Sequence, residues 1–185
     1  MKLYLDTSAV LSYYDKASVF HENSVKLFNC GELELFSGFI TLLEMESVIG
    51  RNINKFKMDW NKESTILFKS LAEKEKVGVL VDYCVKRLDL HIITSKRTGK
   101  HKTNGEELEA NNTFILALRL NREMNLRTLD AIQVASAVET RIYKDINLEY
   151  FVTNDKMILD NNQKLYQKSR ILAISTDELV NLLNL

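Results

Sequence analysis

The chain has 185 residues, of which 45% are hydrophobic and 27% are charged, an ordinary globular composition that suggests one domain. Lys plus Arg and Asp plus Glu both number 25, so the formal net charge is zero and gives no whole-chain argument for nucleic-acid binding. The six glycines form neither GxGxxG nor GxxxxGK[ST], which excludes the common dinucleotide-binding and phosphate-binding loops.

The first half of the chain alternates short apolar runs with helical patterns. Apolar runs bounded by polar residues predict strands at 2–5, 33–36 and 90–94. The helical spacing of apolar residues predicts helices that begin near residue 9, span 19–29, begin at Thr41, and span 58–76 and 79–90.

The second half opens on a polar segment, Ser95 to Gly105, whose two glycines predict a flexible loop. Further helices are predicted over 106–122, 128–143, 161–168 and 176–183, the last capped by Thr176, and further strands over 148–152 and 171–174. Strands separated by helices favour parallel pairing, because parallel neighbours need crossover connections. We therefore predict a three-layer α/β/α domain with a central, mostly parallel sheet of about five strands.

Cysteine usage and the apolar runs bear on the cellular compartment. Cys30 and Cys84 are far apart and have no partners at zinc-binding spacing, which indicates reduced thiols. The apolar run after Lys2 is too short for a signal peptide, and no run of about 18 apolar residues follows. We expect a cytoplasmic protein without membrane contact.

Four acidic residues lie where the predicted sheet would bind a ligand, because ligands of open parallel sheets bind beyond the carboxyl ends of the strands. Asp6 ends the strand KLYLD, and Asp155 ends YFVTND. Asp130 and Glu44 are expected in the first turns of the helices beginning at Thr128 and near Thr41. If the strands are parallel and both helices begin at the same end, these residues converge; we call Asp6, Glu44, Asp130 and Asp155 the acidic cluster.

Carboxylates held together repel one another unless they are neutralised, and their hard oxygens suit Mg²⁺ or Mn²⁺. Such an ion polarises a phosphoryl group and activates water, so the natural reaction is phosphodiester hydrolysis. Each acid also has a purely structural interpretation: Asp6 as a helix cap, Asp130 as a helix-dipole partner and Asp155 as a turn residue. Glu46 is an alternative to Glu44, and spacing alone does not choose between them.

Four segments resemble the PIN-domain family, and especially the VapC-type toxins of toxin-antitoxin pairs. KLYLDTSAVL is similar to the opening strand with its acid, ITLLEMESVIGR to the TxxE helix, LRTLDAIQVASAVE to the helix with the third acid, and FVTNDKMI to the closing strand with TxD. They occur in the order of the family. The resemblance implies a metal-dependent endoribonuclease, blocked by a cognate antitoxin and assembled as a homodimer.

Residue by residue, the resemblance implies that the acidic cluster binds Mg²⁺ or Mn²⁺ and is catalytic, and it selects Glu44 as the E of TxxE. Thr7 and Thr153 would orient carboxylates or a metal-bound water through their hydroxyl groups. Two alternatives stay open: a housekeeping PIN nuclease that matures ribosomal RNA or cuts structured nucleic acid, and a catalytically silent RNA-binding module.

The chain is longer than compact members of the family, so we predict a single domain over 1–185 with an elaboration of helices and a basic loop around 52–110. Between Lys86 and Lys102 six basic residues stand against one acidic residue. Phosphate contacts are therefore candidates at Lys96, Arg97, Lys100 and Lys102, and at Arg51 near the TxxE helix. The alternatives are a solvated loop, since no aromatic residue interleaves within this segment, and a surface ion pair for Arg51.

Overall fold

Strands and helices alternate along the chain in the computed structural model, which describes residues 1–53, 62–144 and 146–185. The strands are β1 (Lys2–Leu5), β2 (Glu34–Gly38), β3 (His91–Ile93), β4 (Thr98–Thr103), β5 (Glu106–Asn111), β6 (Tyr150–Val152) and β7 (Leu172–Ile174). The helices are α1 (Thr7–Tyr14), α2 (His21–Phe28), α3 (Phe39–Asn52), α4 (Lys62–Ser70), α5 (Glu73–Arg87), α6 (Asn112–Met124), α7 (Thr128–Tyr143), α8 (Lys156–Leu159), α9 (Asn162–Ser169) and α10 (Thr176–Leu183).

A five-stranded sheet in the order β3-β2-β1-β6-β7 forms the centre of the fold, and all its neighbouring strands pair in parallel. In the central strand, Tyr4 lies opposite Phe36 on one side and Phe151 on the other. The predicted α/β architecture with a parallel sheet of about five strands is therefore confirmed.

The alternation of side chains along β1 divides the core into two layers. Leu3 and Leu5 pack into one apolar cluster with residues of α1, α3, α5 and α10. Tyr4 packs on the opposite face, in a second cluster with residues of α6, α7 and α9. Because successive side chains of a strand point to opposite faces, a short apolar strand covered by helices on both faces is buried throughout.

The predicted flexible loop over Ser95–Gly105 is wrong, because β4 and β5 form an antiparallel hairpin there. Its two turn residues, Asn104 and Gly105, have φ values of 50° and 83°. Positive φ at both positions is the pattern of a type I′ turn, for which Asn-Gly is the preferred sequence. The helix predicted from residue 106 begins only at Asn112, after β5, and the side chain of Asn111 caps it by accepting the Thr113 N–H.

Several element boundaries also differ from the prediction. The helix predicted over 58–76 is divided, since α4 ends at Ser70 and the backbone of Ala72 is extended before α5 begins; residues 58–61 lie outside the described residues. The cap of α10 is Ser175 rather than Thr176, because its hydroxyl accepts the Glu178 N–H. The helix α8 has four residues, which is too short for a helical spacing of apolar residues to show in the sequence, and it is not among the predicted elements.

Gly38 joins β2 directly to α3, so that α3 begins at Phe39, two residues before the predicted start. A Cβ atom at Gly38 would lie 2.5 Å from the Tyr4 hydroxyl oxygen and 2.6 Å from the Ser136 Oγ. Only a residue without a side chain allows the strand end to approach α7 this closely. The consequence for Glu44 is that it lies in the second turn of its helix and not in the first.

Two further sequence predictions concern export and redox state. Both cysteines are free thiols, with Cys84 buried and Cys30 partly exposed. Among the described residues, no helix combines the length and the apolar character that crossing a bilayer would require.

Candidate metal centre

An open cavity of about 410 Å³ lies beyond the carboxyl ends of β1 and β6, and all four residues of the acidic cluster line it. Asp6 directly follows β1, Glu44 projects from α3, Asp130 projects from the first turn of α7, and Asp155 precedes α8. Glu46 is exposed and does not line the cavity. The structure therefore brings together the acids that the sequence proposed and places the alternative glutamate elsewhere.

Asp6 is the most buried member of the acidic cluster, with 5% of its surface exposed. Its Oδ1 accepts the Thr7 N–H at 2.7 Å, as a helix cap does, and its Oδ2 accepts the hydroxyls of Ser8 and Thr153, both at 2.7 Å. Burial raises the pKa of Asp6, the hydroxyl donors oppose that change, and the nearby Glu44 carboxylate adds to it. Asp6 therefore both caps α1 and lines the cavity.

Glu44 is held by two donors from other segments. The Thr7 hydroxyl donates to its Oε2 at 2.5 Å, and the Gln133 side-chain amide donates to the same oxygen at 2.8 Å. Thr7 and Thr153 therefore each donate a hydrogen bond to a carboxylate of the acidic cluster, the contacts that the resemblance implied for them.

Gln133 is a residue of this site that the sequence analysis missed. Its side chain is fully buried, and its amide nitrogen also lies 2.9 Å from the hydroxyl oxygens of both Thr7 and Thr41, so its two N–H groups are shared among three acceptors. Its carbonyl oxygen accepts the Tyr4 hydroxyl at 3.3 Å. A signal was present: Gln133 stands three positions after Asp130, so both project from the same face of α7.

Asp155 lies beside a basic residue. Its Oδ1 accepts the Met157 N–H at 2.7 Å and caps α8, while its Oδ2 lies 3.6 Å from the Arg127 Nη1. The Arg127 side chain is 71% exposed, so water and salt screen this ion pair and it contributes little to stability. Arg127, which the sequence analysis did not single out, contributes a positive charge to the cavity lining.

Asp130 carries the strongest indication of a missing ligand. Its Oδ2 is buried without a hydrogen-bond partner among the described residues. Its pKa is raised to about 6, first by burial and then by the charges of Asp155 and Asp6, with a smaller contribution from Glu44. Buried polar atoms in folded proteins almost always have a partner, so this oxygen calls for one that the described residues do not supply.

The residues of the acidic cluster fit a hard divalent cation. Such an ion would offer a partner to the Asp130 Oδ2, and its positive charge would oppose both the burial and the mutual repulsion that raise the pKa values of Asp6 and Asp130. Within the described ranges, no three His, Cys, Asp or Glu side chains are already arranged around one metal position. Both oxygens of Asp6, the Oε2 of Glu44 and the Oδ1 of Asp155 accept hydrogen bonds from protein donors, so a cation bound at these oxygens would share or replace those bonds.

The basic residues proposed for phosphate contacts are divided between places. Arg51 lines the same cavity as the acidic cluster, and its Nε donates to the Ser47 carbonyl oxygen at 3.1 Å. Lys96 and Arg97 line a different cavity. Lys100 and Lys102 are exposed on β4, where Lys100 pairs with Glu107 at 2.7 Å. Of the five, only Arg51 is brought to the acidic cluster.

Comparisons with known proteins bear on the fold. No protein-family model matches the chain, and no curated protein does either. Among solved structures, the crystal structure of VapBC2 from Rickettsia felis bound to a DNA fragment from their promoter contains a chain with a similar fold. The match has a TM-score of 0.51 and 14% sequence identity, and it covers 95% of this chain and 98% of that chain. At this identity the likeness supports the fold alone, an α/β domain with the same overall course over nearly its whole length.

Proposed function

We propose that the protein is a metal-dependent endoribonuclease of the PIN-domain family that hydrolyses RNA phosphodiester bonds. The observation that carries this proposal is the convergence of four carboxylates from distant segments on one open cavity. The Asp130 oxygen without a partner among the described residues and the raised pKa values of Asp6 and Asp130 support a cation as the ligand of this site. The shared fold with a VapBC2 chain supports the same assignment.

In this proposal the acidic cluster holds Mg²⁺ or Mn²⁺. When bound, such an ion would supply Lewis-acid chemistry: it would polarise the scissile phosphoryl group and make water a competent nucleophile at neutral pH. The cavity is open and therefore accessible to a polymeric substrate.

The other side chains of the site would position these ligands. Thr153 and Ser8 fix the Asp6 carboxylate, and Thr7 together with Gln133 fixes Glu44. Fixed ligands reorganise little when charge develops on the phosphoryl group, which is the main advantage of a preorganised site. Arg51, on the cavity wall, would contact a substrate phosphate.

The biological setting that we propose is a type II toxin-antitoxin pair, in which this chain is the toxin and acts as a homodimer. The solved structure of similar fold holds VapBC2 with promoter DNA, which supports a partner protein for this chain. Light scattering of the purified protein tests the dimer, and a monomer at high concentration would contradict it. Co-purification with the product of an adjacent small gene tests the antitoxin, and the absence of such a gene would favour a housekeeping nuclease.

Cleavage of a mixed RNA pool by the purified protein tests the proposed activity. We expect cleavage with Mn²⁺, none with EDTA, and none by the Asp6→Asn variant. Asp82→Asn is the matched control, because Asp82 is an exposed acid on α5 that does not line the cavity. Full activity of the folded Asp6→Asn variant would contradict the proposal, and Mn²⁺ binding without cleavage of any RNA would favour a silent RNA-binding module.

A further inference from the structure

The cavity of the acidic cluster is the first of three neighbouring cavities, which we together call the groove. Ile40 and Leu43 line this cavity and also a second one of about 310 Å³. Thr94 and Ser95 line the second cavity and also a third one of about 360 Å³. Because neighbouring cavities share wall residues, the three lie side by side in a row that leads from the carboxylates past the ends of β2 and β3 toward α7.

The middle of this groove is apolar and carries two exposed aromatic rings. Phe39, the first residue of α3, is 53% exposed, and Phe114, in the first turn of α6, is 52% exposed. Both line the second cavity, together with apolar side chains such as Ile93 and Ile132. Exposed rings in a groove offer flat surfaces on which nucleic-acid bases stack.

The far end of the groove is basic. Lys96, Arg97 and Lys144 line the third cavity, and the Arg97 guanidinium lies over the Tyr143 ring, 4.1 Å from its centroid. This stacking holds the guanidinium flat while leaving its N–H groups free of the ring. The Lys144 Nζ donates to the Thr94 carbonyl oxygen at 2.8 Å, which fixes that side chain against the groove wall.

Among the described residues, Glu139 is the acid that lines the third cavity, and protein donors already satisfy it. It is 3% exposed, and its carboxylate accepts the Ser95 hydroxyl at 2.5 Å, the Asn112 side-chain amide at 3.1 Å and the Thr113 hydroxyl. Its hydrogen bonds tie the segment after β3 and the start of α6 to α7. It therefore shapes the groove wall, and the exposed charges among the described lining residues of the third cavity are the three cations.

We infer that this groove is the binding path for single-stranded RNA, an inference that rests on the proposed function. The strand would place a phosphate at the acidic cluster, stack bases on Phe39 and Phe114, and place a second phosphate at Arg97 and Lys144. Alternating phosphates and bases match a path that has the proposed metal ion at one end, basic side chains at the other end and aromatic rings between them. A protein segment with an apolar face would match only the middle. The basic segment 86–102 contains no Phe, Tyr or Trp. The fold places Phe39 of α3 and Phe114 of α6 next to the middle of this segment.

Fluorescence anisotropy with a labelled single-stranded RNA of about eight nucleotides tests the aromatic middle and the basic end of this path; EDTA prevents metal-dependent cleavage and leaves these two parts as the contacts that are measured. We expect the Arg97→Gln/Lys144→Gln variant to bind about tenfold more weakly. Loss of two phosphate contacts also lowers the slope of log K against log salt concentration by about 1.4. Phe114→Ala should weaken binding about tenfold without changing the slope, because stacking involves no counterion.

The matched control is Lys100→Gln/Lys102→Gln, which removes the same charge from β4 outside the groove. Equal weakening by both double variants would mean general charge attraction and would overturn the inference. Unchanged affinity of the groove variants, with wild-type cleavage intact, would also overturn it while the proposed function stands; it would assign the apolar middle to a protein partner. Since Lys144 also contacts Thr94, the single Arg97→Gln variant is measured too and should lower the slope by about 0.7.

Discussion

Replacing Asp130 by asparagine should stabilise the metal-free protein at neutral pH, although we propose that Asp130 is essential for activity. In the folded protein its pKa is raised from 3.8 to about 6 by burial and by the neighbouring carboxylates. That difference corresponds to about 3 kcal/mol of unfavourable charge at neutral pH. Because the side chain is only partly buried, solvent screening reduces it, and we expect a gain of about 1–2 kcal/mol in the free energy of unfolding.

The pH dependence of this gain follows from the direction of the shift. The folded state binds the Asp130 proton more tightly than the unfolded state does, so its favourable contribution is complete below about pH 4 and is lost as the pH rises through about 6. The variant has no such proton. The difference between variant and wild type should therefore be near zero at about pH 4 and fully developed above about pH 7.

Urea unfolding in EDTA measures this difference in the free energy of unfolding. In the same experiment with Mn²⁺ we expect its sign to reverse, so that the wild type is the more stable protein. Bound cation stabilises the folded wild type by mass action, and the variant, which lacks one ligand, gains less. Asp82→Asn, an exposed acid far along α5, controls for the loss of one negative charge and should change neither curve. A variant that is less stable than wild type in EDTA at neutral pH would refute the electrostatic description of the site.

Three further predictions concern residues that shape the site. Gly38→Ala should lower the free energy of unfolding by about 1–3 kcal/mol, because the new Cβ would overlap the Tyr4 and Ser136 hydroxyl groups. Gly78→Ala in α5, where the Cβ meets open space, should raise the free energy of unfolding by about 0.5–1 kcal/mol. Equal effects of the two substitutions in urea unfolding would contradict this. Gln133→Met should cost about 1–3 kcal/mol and weaken Mn²⁺ binding in calorimetric titration, since Glu44 loses a donor; unchanged affinity would show that this hydrogen bond does not position the ligand. Gly105→Ala should cost about 1 kcal/mol, because φ is 83° there, and a variant as stable as wild type would argue against the hairpin turn.

The parts of the fold that local pattern determines were predictable from the sequence. The apolar run of β1 and the 3.6-residue spacing of α7 locate Asp6 and Asp130 correctly, because strand and helix periods are short-range properties. The parallel sheet follows from the alternation of such elements. The hairpin was missed although Asn104-Gly105 is a strong turn signal, because the charged strands on either side lack the apolar alternation that usually accompanies it.

The finer contents of the site depend on tertiary contacts and could not be predicted. Gln133 and Thr41 are 92 positions apart, and only the assembled sheet shows that they share a hydrogen bond beneath Glu44. Likewise, the apolar cavity in the middle of the groove forms because residues of α3, α6 and α7, distant in the sequence, line it together. The spacing of residues within a helix gives their common face, but the partner of that face is a property of the complete fold.

Anomalous diffraction from crystals soaked in Mn²⁺ tests the central claim, a metal centre formed by the acidic cluster, most directly. We predict an anomalous peak in the cavity, within coordination distance of Asp130 and at least one other residue of the cluster, and its loss in the Asp130→Asn variant. An empty cavity at saturating Mn²⁺, or a peak only at acids outside it, would contradict the account.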